Sequence, residues 1–306
     1  MVYIFGPVPS RRLGLSLGVD LIPAKTCTYD CLYCQVGRTT CKTVETGPYV
    51  PIQDVLNELE RKLEQKKPDT VTLAGSGEPT LHSRIDRVIS FIKDRTDTKI
   101  AVLTNGSLLW KEEVRSRVSG AHILMPTLTT AFPETYSAIH RPHADLKLNM
   151  IIEGYKRLRQ TYRGLLFLEV VLLAGYNDSE REIEELRRVI NPISPDRIQL
   201  NTVVRPPADS MAKALDSERL EEIKNLLGPR AEIIAEAPFK KREGQSEYLA
   251  TTVLEMAKRR PLRAVDVANA LNIGLDETEG LIKGLLIKGA VSRQEHSGEV
   301  YYLLKD

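Results

Sequence analysis

Thr26-Cys27-Thr28-Tyr29-Asp30-Cys31-Leu32-Tyr33-Cys34 is the stretch on which the reading of this chain turns. It gathers three of the four cysteines in 306 residues into a C-x3-C-x2-C run, directly after an apolar, strand-like segment from Leu15 to Leu21. Thiolates hold iron-sulfur clusters, and a [4Fe-4S] cube attached through only three cysteines leaves one iron open to another ligand. Two other uses of cysteine compete with that reading. Zinc sites usually combine two C-x2-4-C or Cys/His pairs into four ligands, and here only Cys41 lies nearby, with no histidine flanking the run. Disulfides belong to oxidising compartments. The N-terminus, MVYIFGPVPSRR, is polar within ten residues, so it reads neither as a secretory leader nor as a membrane span, and the expected location is the cytoplasm.

Working outward, 42% hydrophobic and 27% charged residues with a net charge of +2 describe a chain that can bury a sizeable core and is not conspicuously basic. Short apolar runs alternate with amphipathic stretches. Thr70 to Leu73, Lys99 to Leu103, Ala121 to Met125, Leu165 to Leu173, Arg197 to Asn201 and Glu232 to Ala235 read as strands. Val55 to Leu63, Ile85 to Ile92, Leu148 to Leu158, Ile183 to Ile190 and Leu220 to Leu227 have helical spacing. Such alternation predicts parallel strands joined by right-handed crossovers, in either an open doubly wound sheet or a barrel.

Several strand ends carry turn sequences. Gly75-Ser76-Gly77-Glu78-Pro79 follows the second strand, Leu103-Thr104-Asn105-Gly106 ends the third, and Pro126-Thr127-Leu128-Thr129 ends the fourth. Further segments stand out: Phe5-Gly-Pro-Val-Pro-Ser-Arg-Arg-Leu-Gly14, His140-Arg141-Pro142-His143, and Gln199-Leu-Asn-Thr-Val-Val-Arg-Pro-Pro207. With the cysteine run, these resemble the radical S-adenosylmethionine (radical SAM) superfamily, within it a branch of iron-sulfur oxidoreductases loosely grouped with the tRNA wybutosine-synthesis enzyme.

The resemblance covers about the first 240 residues and implies an incomplete (β/α)6 barrel with its ligands at the carboxyl ends of the strands. It implies Cys27, Cys31 and Cys34 as cluster ligands and SAM chelated at the open iron, where one electron releases a 5'-deoxyadenosyl radical that abstracts hydrogen from a substrate. It places the SAM ammonium group at the turn Gly75, Ser76, Gly77 and Glu78, and Asn105 and Thr127 beside the rest of SAM. Tyr33 is expected against the adenine. Thr129 stands where related sequences often have Asp, and a neutral hydroxyl cannot do a carboxylate's work. Glu169, inside the apolar run LFLEVVLLAG, must be paired or face the cavity, and in the cavity it would touch SAM or substrate. No catalytic residue is assigned.

Arg11, Arg12, Arg141 and Arg205 lie beside turns and strand ends, where an arginine fork could take a carboxylate or phosphate and where a surface ion pair is the plainer role. For His140 and His143, a solvent-facing or loop-bracing role is expected, and Cys41 reads as a small hydrophobe without a catalytic part.

The organisation expected is a partial barrel over 1–240, a linker over 241–245 and a small module over 246–306, the change of character beginning near the charged, linker-like stretch from Pro238 to Arg242. In that module Tyr248 to Ala257, Ala264 to Leu271 and Asp276 to Lys288 read as helices, with Val291 to Arg293 and Val300 to Leu304 as a hairpin around Ser297-Gly298, the order of a winged helix-turn-helix. The third helix opens with Asp276, Glu277 and Glu279, which repel a polyanion where such a helix would meet DNA. A protein or peptide partner, or a contact between the domains, is expected there instead. The function expected is radical SAM chemistry on an unidentified substrate, fed by an electron donor such as a ferredoxin or flavodoxin. The alternatives are tRNA modification and an iron-sulfur redox sensor acting through the winged helix.

Overall fold

The computed structural model describes residues 2–10, 12–65, 67–204, 207–234, 245–257, 261–271, 273–296 and 299–305. Arg11, Arg205, the stretch Pro238 to Arg242 and the turn Ser297-Gly298 lie outside them. The chain divides into two compact units, Met1–Ile4 with Gly18–Glu236 and Phe5–Leu17 with Ala237–Asp306.

Elements are numbered in chain order. After β1 (Ile4–Ser10) and β2 (Gly14–Val19) come two short strands of the cysteine region, β3 (Thr26–Cys27) and β4 (Cys41–Lys42). The alternating part of the larger unit runs α1 (Ile52–Gln65), β5 (Thr70–Leu73), α2 (Ile85–Arg95), β6 (Lys99–Thr104), α3 (Glu112–Val118), β7 (Ile123–Pro126), α4 (Pro133–His140), α5 (Leu148–Thr161), β8 (Leu165–Val171), α6 (Glu180–Ile193), β9 (Arg197–Asn201), α7 (Ser217–Leu227) and β10 (Ala231–Ile233). Strands β5 to β10 are parallel and neighbour one another in sequence order. Sequential order, unlike a doubly wound sheet, never reverses direction, so right-handed crossovers put the helices on one face. All four residues of β5 and of β7 are buried, which explains their unbroken apolar and β-branched runs.

Local sequence sets the helix boundaries. Ser179 accepts from the Glu182 N–H at the start of α6, and Asp216 accepts from the Arg219 N–H at the start of α7. On α1 the buried Val55 and Leu59 are one helical turn apart. Helix α4 has only eight residues, too few to stand alone, and is held from outside. Glu182 of α6, itself buried, accepts from Thr130 at 2.6 Å and Thr135 at 2.5 Å around its first turn. Buried Asn177 accepts from the Leu173 N–H at 2.8 Å and donates to the carbonyls of Thr129 and Val171, tying the exits of β7 and β8 together.

The smaller unit contains α8 (Gln245–Ala257), α9 (Ala264–Leu271), α10 (Leu275–Ile287) and the antiparallel pair β11 (Val291–His296) and β12 (Glu299–Leu304). Its core gathers Leu249, Val253, Leu262, Val267, Leu271, Ile282, Leu285 and Val291. Leu262 exchanges both backbone hydrogen bonds with Tyr302, so a third extended segment borders the hairpin.

Tyr155 of α5 fixes the exits of β6 and β7: its hydroxyl meets the Thr127 carbonyl at 2.8 Å and the Asn105 carbonyl at 3.2 Å. Gly106, at φ +74°, makes this possible, because a Cβ there would occupy the space of the Tyr155 hydroxyl. Tyr155→Phe should strip the donor from both carbonyls and cost about 1–3 kcal/mol. Urea unfolding checks this, with a lower midpoint and an unchanged m-value expected.

Candidate cofactor site

The cysteine loop leaves β3 and is seated on the end of α4. Asp30 N–H donates to the His140 carbonyl and Leu32 N–H to the Ile139 carbonyl, both at 2.9 Å. His143 N–H returns a bond to the Thr28 carbonyl at 2.9 Å. Terminal helix carbonyls need donors and loop N–H groups need acceptors, so the two segments satisfy each other. Arg141 ends the helix in the left-handed region at φ 44°, and the Lys42 ammonium donates to the Arg141 carbonyl at 2.9 Å. The segment from His140 to His143 is therefore a brace. His140 is 2% exposed, so of the two roles expected for it the solvent-facing one does not hold.

The three thiols of the run feel one another. Burial, with the neighbouring Glu78 carboxylate and Cys34, pushes the Cys27 thiol up to about 12. Burial, then Cys27 and Cys34, pushes Cys31 well above its usual value. Cys41 is exposed. Thr26 and Cys27 pair in register with Cys41 and Lys42, so Cys41 supports the loop through its backbone.

A second corner is built by the two turns. Glu78, 2% exposed, accepts at Oε1 from Thr80 N–H at 3.0 Å, Thr80 Oγ1 at 2.5 Å and Thr104 Oγ1 at 2.6 Å, and at Oε2 from Asn105 N–H at 2.7 Å. Burial raises its carboxyl, and these donors oppose that rise. The side chain thus fastens the turn after β5 to the turn after β6. The backbone of the first turn is joined to the cysteine region, with Lys25 N–H on the Ser76 carbonyl at 2.9 Å and Glu78 N–H on the Thr26 carbonyl at 3.2 Å. Gly77 is required by that approach, since a Cβ would collide with the Thr26 carbonyl. Asp20, at the exit of β2, accepts from Ser76 N–H at 3.0 Å and Ser76 Oγ at 2.6 Å, and its carboxylate fills the space a Cβ at Gly75 would need. Asn105 donates to Thr28 Oγ1 at 2.7 Å and reaches the Cys27 sulfur at 3.5 Å.

The third corner lies at the exits of β7, β8 and β9. Glu169 accepts from Thr127 Oγ1 and from Asn201 Nδ2, both at 3.3 Å, and all three residues are half-buried. Tyr33 packs edge-on to His140, with ring centroids 5.8 Å apart, and belongs to the apolar cluster of Leu32, Ile139, Val171 and Leu173. The charge on Glu169 reaches the Tyr33 hydroxyl, so Tyr33 stands between the cysteine loop and the third corner. Arg141 pairs with Asp209 at 2.7 Å, the ion pair expected as its plainer role.

Sequence reasoning gave no part to Asp20, Asn201 or the Cys31 contact of His140. Asp20 and Asn201 do carry a signal, since each is a polar residue at the exit of an apolar strand. The His140 contact carries none in the sequence.

These residues fit an iron-sulfur cluster. Among the described residues no three His, Cys, Asp or Glu side chains close around a single ion, whereas a cube spreads its thiolates over different irons. Cys27 and Cys31, both pushed upward, are costly as bare thiolates, and a thiophilic metal that replaces their protons relieves that cost.

The Radical SAM superfamily model matches residues 21–188. The chain belongs to the radical SAM superfamily. Its members are enzymes, and its cofactors are SAM and a [4Fe-4S] cluster. A UPF0026 protein of Methanocaldococcus jannaschii is 34% identical, with 99% of this chain and 96% of that one covered. A Brachyspira hyodysenteriae protein named GTPase Obg is also 34% identical over 98% of this chain, which spans 45% of that protein's length. Among solved structures, a radical SAM methyltransferase from Sphaerobacter thermophilus has a TM-score of 0.54 at 19% identity, covering 71% of this chain and 65% of that one. Streptococcus suis SuiB has a TM-score of 0.54 at 14% identity, covering 76% and 51%. At such identities these two likenesses show the fold alone. The radical SAM sheet here is the parallel one described, and its strand order shows no closure of β10 onto β5.

Glu78→Gln keeps the shape but turns an amide N–H2 toward donors, so stability should fall by about 1–3 kcal/mol. Thermal unfolding of the purified variant measures it, and an unchanged midpoint would show that the two turns do not depend on the carboxylate.

Proposed function

We propose that this chain cleaves SAM reductively at a [4Fe-4S] cluster held by Cys27, Cys31 and Cys34, for hydrogen-atom abstraction from a substrate not yet identified. The observation that carries the reading is the seating of three half-buried cysteines beside the two turns that Glu78 joins. When bound, the cluster supplies the electron for SAM cleavage and an open iron for SAM to chelate.

The chain's own residues divide the remaining work. Cys27, Cys31 and Cys34 hold the cluster, and the docking on α4 fixes their spacing. The turn of Gly75, Ser76 and Gly77 offers its backbone to the SAM ammonium group, with Asp20 and Glu78 holding the turn's shape. Glu78 acts from inside, since its carboxylate oxygens are taken up by four internal hydrogen bonds. Asn105 orients Thr28 and Cys27. Thr127, Glu169 and Asn201 offer polar groups to the sugar and methionine ends of SAM, and Tyr33 walls the adenine side.

In the smaller unit, three helices followed by a hairpin and bordered by the segment at Leu262 support a winged helix-turn-helix, with the partial barrel as the other domain. Asp276, Glu277 and Glu279 are exposed at the start of α10, which disfavours duplex DNA and suits a protein or peptide partner. A ferredoxin or flavodoxin is the proposed electron donor. Among the described residues no helix is long and apolar enough to cross a membrane, and the proposed compartment is the cytoplasm, where thiols stay reduced.

The test is anaerobic reconstitution followed by visible absorption, iron and sulfide analysis, and assay of 5'-deoxyadenosine after chemical reduction. Alanine at Cys27, Cys31 or Cys34 should abolish both the absorption and the product, and Cys41→Ala should leave both intact. A cluster that depends on Cys41 would overturn the three-ligand assignment.

A further inference from the structure

His140 closes α4 and is enclosed by aromatic rings, with centroids of Tyr29, Tyr136 and Tyr33 at 4.9, 5.4 and 5.8 Å. Its two nitrogens are both engaged. Nδ1 lies 3.2 Å from the Cys31 sulfur, and Nε2 lies 2.6 Å from the Thr129 hydroxyl. Thr129 is 1% exposed, so the contact is sheltered from water.

A neutral imidazole has one donor and one acceptor nitrogen, and its partners decide which is which. A thiol at Cys31 could donate to Nδ1, leaving Nε2–H to donate to Thr129. A metal-bound thiolate has no proton to give, so Nδ1 must carry the hydrogen and donate to sulfur. Nε2 is then an acceptor, and the Thr129 hydroxyl can donate to it. A carboxylate at position 129 would demand the opposite tautomer, with Nε2–H donating to it and Nδ1 left facing sulfur as an acceptor. Threonine leaves the ring neutral and free to donate to sulfur.

We infer that His140 is a positioning residue that raises the reduction potential of the cluster: its Nδ1–H donates to the Cys31 thiolate, and the Thr129 hydroxyl holds the ring in that tautomer. This rests on the proposed ligand role of Cys31. Reduction places more negative charge on the sulfurs, so a donor aimed at one of them favours the reduced state. Tyr33, whose hydroxyl also bears on Cys31, is a separate donor that the substitutions below leave in place.

The experiment is a redox titration of the full-length, anaerobically reconstituted protein without SAM, followed by electron paramagnetic resonance. His140→Phe keeps a flat ring and removes the donor. It should lower the ratio of reduced to oxidised cluster at fixed potential about tenfold, ~59 mV for a one-electron couple. His140→Asn, whose side-chain N–H can stand in for Nδ1–H, should recover part of that loss. Thr129→Val, which frees the tautomer, should shift the potential the same way by less. A packing role alone would not order the variants by their donors.

An unchanged potential in His140→Phe with an intact cluster would overturn the inference. If His140→Phe assembles no cluster, Thr129→Val decides, a downward shift supporting the inference and an unchanged potential overturning it. The ligand assignment is read separately, in the unsubstituted protein and its cysteine variants. A cluster that survives Cys31→Ala would defeat that assignment whatever the histidine variants do.

Discussion

The site depends first on a short set of backbone hydrogen bonds between the cysteine loop and the end of α4. Residues 28 to 32 form neither helix nor strand, so nothing local dictates their shape. Their N–H groups are nevertheless placed, because the Ile139 and His140 carbonyls have completed their helix and have no donors within it. Asp209 N–H closes the other side of the loop by donating to the Leu32 carbonyl at 3.1 Å. With its backbone held at several points, the loop keeps Cys31 near Cys27 and Cys34.

Glu78 solves a related problem at the next strand. A carboxylate 2% exposed carries a heavy desolvation penalty, yet here its oxygens receive two backbone N–H groups and two threonine hydroxyls. The donors come from the short helical turn at Thr80 and from the end of β6 with the turn that follows it, at Thr104 and Asn105. The buried acid therefore acts as a template onto which two irregular segments fold, and the glycines in those turns allow the close approaches. A glutamine has the same volume but the wrong donor pattern, so the site is written in proton positions as much as in shape.

Much of the architecture was legible in the sequence because it is local. β5, β6 and β9 are recognisable from β-branched and apolar runs, α1 and α5 from 3.6-residue spacing, and the three thiols from their separation. The missed elements have weak local signals. α4 is short, starts at a proline and owes its stability to Glu182, Thr130 and the rings around His140, none of which produces a helical period. β1, with Gly6, Pro7 and Pro9 inside it, likewise looks like a turn-rich stretch. The reading of the strand ends named Thr127 and Glu169, which the structure joins, but not their partner Asn201. It also placed Glu78 near the cofactor without showing that its carboxylate points inward. Such pairings join residues far apart in the chain, and periodicity holds no record of them.

That remoteness bears on the order of assembly. Cys31 and His140 are 109 positions apart, and between them lie β5, β6 and β7 with the helices that cover them. Joining segments so distant costs entropy, and the contact is favoured once the intervening sheet has brought α4 into position. The cysteines leave the ribosome well before the helix end that seats their loop. On the proposed ligand assignment, iron that arrives before α4 has docked meets a loop without its seat, and iron that arrives afterwards meets the finished one. On that same assignment the sheet times metal loading, and a lesion that merely slows the packing of α4 would surface as a shortage of cluster in an otherwise folded chain.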